Sequence, residues 1–169
     1  NIYEARIMTK VAKENGLITQ MGNQGASSHG SRQTKELIQA GVIGNIEKVD
    51  CWTNRPVWPQ GVPVPTEKHE SPKELDWDLW LGPAPERAYH PAYLPRNWRG
   101  WWDFGNGLLG DMGCHNLDQA FAALDLEHPT RIEAETTSHS PESTPDGSKV
   151  TWQCPAKGKR GPVTVTWFG

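Results

Sequence analysis

The sequence predicts an α/β chain of the α+β kind: the close of one α/β unit, then an open mixed or antiparallel sheet with helices on one face. Three observations carry this. A helix-period segment runs into an apolar strand-like run across one glycine within residues 2–22. Four later segments, 46–53, 131–137, 149–153 and 162–168, have strand character. Helical periodicity marks 28–40, before the first of them, and 111–124, between the first and the second. Segments that alternate in period this way belong to layered folds with both element types.

Residues 2–15 set Ala5, Met8, Val11 and Ala12 on one helical face, with Gly16 as the stop. Residues 17–22 read as a short strand, and 28–40 as a second helix closed by Gly41. In 46–53, Glu47, Val49, Cys51 and Thr53 share one strand face. Residues 54–106 hold most of the 14 prolines and many of the 9 tryptophans. They are expected to form a long irregular excursion, with a turn of helix at 75–83 and with Trp77 and Trp80 packed inside. Loops of such length are uncommon and usually functional. Turn-rich connectors at 140–148 and 156–161 then separate the last three strands. In the final strand Val163, Val165 and Trp167 alternate with Thr164, Thr166 and Phe168, so neither face is strongly polar. A sheet apolar on both sides wants a partner, which predicts a homo-oligomer through its open face.

The 169 residues can bury one sizeable core. A net charge of −3 offers no basic patch for nucleic acid. No apolar run approaches a membrane span, and no signal peptide is visible. Both ends read as falling inside elements, a helix at the start and a strand at the finish. Cys51, Cys114 and Cys154 form no zinc pattern and no disulfide set. Free thiols favour a cytoplasmic setting without fixing it.

The chemistry concentrates in Asp111-Met112-Gly113-Cys114-His115-Asn116-Leu117-Asp118. At about 100° per residue, Asp111, His115 and Asp118 share a stripe roughly 60° wide, while Leu117, Ala120, Phe121 and Leu124 face elsewhere. Two carboxylates and an imidazole can move a proton or hold a metal. An ordinary cap with a solvated pair would give the same spacing. The preceding Gly105-Asn106-Gly107-Leu108-Leu109-Gly110 matches a dinucleotide glycine pattern, but no buried strand leads into it. Asp111 would also put negative charge where a pyrophosphate should sit. The glycines fit better as a close passage of backbone by a substrate, or as a tight turn that aims Asp111. Trp98, Trp101 and Trp102, interleaved with Arg96 and Arg99, suit polyhydroxylated or anionic ligands. Core packing is the competing account of those rings.

Four segments in order resemble the glucose–fructose oxidoreductase / inositol dehydrogenase (Gfo/Idh/MocA) family. They are Gln20-Met21-Gly22-Asn23-Gln24, the run at 38–46, Leu75-Asp76-Trp77-Asp78-Leu79-Trp80-Leu81-Gly82-Pro83-Ala84-Pro85, and the stretch at 110–118. The likeness spans essentially the whole chain, and the last two segments are the specific ones. It implies residues 1–23 as the end of a nucleotide-binding Rossmann domain. Residues 24–169 would be a substrate and oligomerisation domain, truncated at its C-terminal end. It further implies NAD or NADP as cofactor, with hydride passing to or from a carbon bearing a sugar or polyol hydroxyl. His115 falls on the family's acid/base and Asp111 on its orienting carboxylate. Asp118, Arg99, Trp98 and Trp101 would contact substrate, and Asn23 and Gln24 the cofactor; no metal is implied. The family's phosphate-binding glycines and its Glu-Lys-Pro segment are not in this sequence, so the 169 residues alone are not expected to turn over substrate. An NAD-dependent glycosidase and a non-catalytic carbohydrate-binding or oligomerisation module are the alternatives.

Overall fold

Val163, Val165 and Trp167 are almost wholly buried, and the strand that carries them lies inside the sheet. In the computed structural model, which describes residues 2–55, 58–138 and 140–169, the elements follow in order. They are α1 (Ile2–Glu14), α2 (His29–Gln39), β1 (Lys48–Trp52), α3 (Trp77–Leu81), α4 (Gly107–Asn116) and α5 (Asp118–Ala123). The strands β2 (Arg131–Thr136), β3 (Ser148–Cys154) and β4 (Val163–Phe168) close the chain. Two 3₁₀ turns, Pro91–Tyr93 and Asn97–Gly100, stand between α3 and α4. Pro56 and Val57 of the expected excursion, and Asn1, lie outside the described residues.

The sheet has the order β1-β4-β3-β2, parallel between β1 and β4 and antiparallel elsewhere. Register fixes its two faces, because neighbours in a strand point oppositely. Val49 and Cys51 of β1 align with Val165 and Trp167, and these with Trp152 and Val150 of β3. This face packs against Leu108, Leu117, Phe121, Leu124 and Leu126 from α4, α5 and the turn after them. The expected apolar side of 111–124 is thus the core side. Helix α2 packs in turn on α5 and is tied to it where Gln119 donates to the Ser31 carbonyl at 3.1 Å. Ser28 caps α2 by accepting from the Ser31 amide.

Three expectations change. Residues 17–22 form no strand: they pair with none of the described strands, and Leu17, Ile18 and Met21 are exposed. A strand exists only by pairing, so an apolar run without a neighbour stays irregular. Helix α1 likewise buries none of its residues. The helix expected over 111–124 begins earlier, at Gly107, and is divided at Leu117, so Asp118 opens α5 instead of continuing α4. The open face is also far more polar than the final strand suggested. Lys48–Asp50, Lys149–Glu135 and Arg131–Glu133 form ion pairs there among Thr151, Thr164 and Thr166. Its apolar part is one corner, Trp52 beside its register partner Phe168, 68% and 40% exposed.

The loop after β2 returns to support the turn Asn97–Gly100. The Thr144 amide donates to Gly100 O at 2.8 Å and the Trp102 amide to Glu142 O at 2.9 Å, with Ser143 and Thr144 buried. Asp146 closes this loop by accepting from the hydroxyls of Thr137 and Ser138. Those bonds, Thr137 first, hold its carboxyl below the ordinary 3.8. A depressed folded pKa means the ionised form stabilises the fold above about pH 4, and this contribution fades as pH falls through the lower folded value. In denaturant titrations across pH 2–6, Asp146→Asn should flatten the acid limb of the stability curve and leave other limbs in place. An unchanged acid limb would remove Asp146 from that role.

Candidate active site

Crowded backbone builds the site. The turn Asn97–Gly100 presses on the start of α4 through glycines. A Cβ on Gly105 would lie 2.7 Å from Arg99 Cα and from Arg99 O, and one on Gly107 would lie 2.6 Å from Thr144 Oγ1. Gly107 also has φ +61°, in the left-handed region that favours glycine. Protein fills the spaces these glycines leave, so they form no cradle for a pyrophosphate. They serve to bring Arg99 against α4.

Arg99 Nε donates to Asp111 Oδ1 at 2.7 Å. The guanidinium carbon stands 4.4 Å from the Trp98 ring centre and 5.4 Å from that of Trp58, a second aromatic contact for the same cation. Arg55, just beyond the end of β1, lies 3.9 Å from Asp111 Oδ2. Asp111 is therefore a carboxylate held between two arginines. Trp98, Arg99, Phe104 and Asp111 line a pocket of about 260 Å³ with the glycine turn.

His115 stands one turn further along α4, exposed, outside that lining. Its Nδ1 lies 3.1 Å from the carbonyl of Gln24. A carbonyl can only accept, so Nδ1 carries the proton there and the neutral ring keeps Nε2 bare as an acceptor. Next to it Asn116 donates to the carbonyl of Trp52 at 2.6 Å, fixing the end of β1 to the end of α4. Asn23, beside Gln24, has φ +41° and a buried Oδ1 without a hydrogen-bond partner. The structure thus gathers Asp111, Arg99 and Trp98 in one pocket and sets Gln24 on His115. Asp118 is half-buried at the head of α5, outside the pocket. Among the described residues no three of His, Cys, Asp or Glu are placed to hold a metal together.

Trp101 lies elsewhere than expected. It is 2% exposed, its Nε1 donates to the Ala92 carbonyl, and its ring meets Tyr93 edge-on at 5.1 Å. It belongs to an aromatic cluster in which Trp77 stacks on Trp80 and Phe104 meets both Trp80 and Tyr93. Arg87 anchors this cluster, pairing with Asp103 and Glu142 and facing the Tyr93 and Phe104 rings at 5.5 Å. Burial opposes its charge, but Glu142 and Asp103 outweigh that and raise its pKa. Arg55 was legible only as a residue just past a strand end, where α/β ligands often bind. Trp58 carried no sequence signal for its place beside Arg99.

An α/β domain with its carboxylate and imidazole on one helix, over a mixed sheet, is what these elements define. Residues 29–157, most of the chain, match the family model described as "Oxidoreductase family, C-terminal alpha/beta domain". The chain belongs to this Gfo/Idh/MocA oxidoreductase family. No curated protein matches it. No helix among the described residues is long and apolar enough to cross a membrane.

The glycine contacts give a direct test. Gly105→Ala forces a methyl onto the Arg99 backbone and should cost about 1–3 kcal/mol in denaturant melts. Gly161→Ala, whose Cβ would meet nothing within 4 Å, should change stability by less than about 0.5 kcal/mol. Equal stabilities for the two would break the link between glycine and close approach.

Proposed function

We propose that the protein is an NAD(P)-dependent oxidoreductase acting on a sugar or polyol hydroxyl, with His115 as acid/base and Asp111 as orienting carboxylate. One observation carries the reading. His115 is exposed on the stripe of Asp111, with Nδ1 turned to the Gln24 carbonyl, which leaves Nε2 as the basic nitrogen. A bound nicotinamide would supply hydride transfer. Asn23 suits its carboxamide, since the buried Oδ1 is an acceptor in want of an N–H donor. The glycine turn before α4 does not suit the pyrophosphate, because Arg99 and Thr144 fill the spaces beside Gly105 and Gly107.

This chain's residues then do the following. Trp98 offers an apolar ring at the pocket edge, and Arg99, held by Asp111, sets a guanidinium beside it for substrate oxygens. In the oxidising direction His115 Nε2 takes the hydroxyl proton. In the reducing direction Nε2–H returns that proton to the oxygen. The Gln24 carbonyl orients the ring by accepting from Nδ1–H.

In the intact protein with NAD(P) and its sugar substrate, His115→Ala should lower kcat by about a hundredfold or more, with the fold retained. Turnover at the unmodified rate would overturn the assignment.

We also propose that subunits pair through the open sheet face. The exposed Trp52–Phe168 corner supports it, and the ion pairs around it supply a polar rim. Light scattering should give at least a dimer, and Trp52→Glu should shift the mass toward monomer. A monomer at high micromolar concentration in the unmodified protein would reject the pairing.

A further inference from the structure

A second cavity, of about 350 Å³, adjoins the first. Trp80, Leu81, Pro83, Ala84, Trp98, Asp103 and Phe104 line it. Trp98 and Phe104 also line the pocket of Arg99 and Asp111, so two side chains are shared and the cavities are neighbours across them. The first falls just below the usual size of ligand sites, about 300–1,000 Å³, and the second lies at its lower end; together they sit well within that range.

The chemistry of the second cavity is specific. Three aromatic rings supply apolar faces and edges. Trp80 is held by its stack on Trp77 at 4.8 Å and by the Phe104 edge at 4.9 Å, so its position is preformed. The polar group is Asp103, whose Oδ2 takes Arg87. A carboxylate accepts at two oxygens, which leaves Oδ1 for a hydroxyl donor. A ring with C–H faces and hydroxyl edges matches this lining: a pyranose. A cation is a poorer match, because Arg87 already balances Asp103.

We propose that this cavity is a second sugar subsite, and that the substrate is a glycoside of at least two rings. The ring to be oxidised lies by Asp111 and Arg99, and the adjoining ring lies among Trp80, Trp98 and Asp103. The proposal rests on the sugar reading given above and adds the length of the substrate. It gives Trp98, at the boundary, contact with both rings.

Binding tests it without turnover. The intact protein is titrated calorimetrically with methyl pyranosides of gluco, galacto, manno and xylo configuration, with the corresponding disaccharides, and with phenyl glycosides. A disaccharide should bind about tenfold or more tighter than the methyl glycoside of its better-bound ring. Ala84→Trp, which fills the second cavity, should bring that ratio close to one, with the melting temperature showing that the variant folds. Equal binding of mono- and disaccharides by the unmodified protein would overturn the subsite and leave the sugar reading standing. So would a ratio that survives Ala84→Trp. A gain confined to phenyl glycosides would assign the cavity to an aromatic aglycone and overturn the proposal. Absence of binding by every sugar would overturn both readings.

Discussion

The approach of one backbone segment to another governs this domain. Arg99 can meet Asp111 only because no side chain grows from Gly105 into the Arg99 main chain. That contact stands the guanidinium beside Trp98 and Trp58 and holds the carboxylate on α4. The same crowding seats Thr144 against Gly107, so the loop beyond β2 shares in the arrangement. Small residues here do what large ones do in a core: they set the distance between layers.

Beneath this lies a division of labour in the sheet. β4 presents Val163, Val165 and Trp167 to the helices and Thr164, Thr166 and Phe168 to the other side. The buried row fixes where α4 and α5 lie, and α4 then carries Asp111 and His115 to the end of β1. Asn116 secures that end through the Trp52 carbonyl. Apolar burial supplies the platform, and a few directed hydrogen bonds supply the aim.

The elements legible in the sequence were those whose reasons are local. The helix closed by Gly41, the turn of helix within 75–83 and the strands expected at 131–137 and 162–168 follow from their residue types. The Asp111/His115 stripe needed only helix geometry. The failures were non-local. Residues 17–22 have strand chemistry, yet no described strand lies beside them. Trp98 and Trp101 stand three residues apart among similar neighbours, but Trp101 faces Tyr93 while Trp98 faces Arg99. Sequence spacing cannot separate two rings whose difference is what the fold brings to each. The ion pairs of the open face were invisible for the same reason, because their members come from separate strands or alternate along one.

The edge strand β2 has one more consequence. All six of its residues are exposed, and Arg131, Glu133 and Glu135 alternate along it with Ile132, Ala134 and Thr136. An unpaired strand edge is a template on which another molecule's strand can assemble. Here any strand arriving alongside must bring its own side chains against a row of fixed charges. The edge thereby resists fibre-like growth of the sheet.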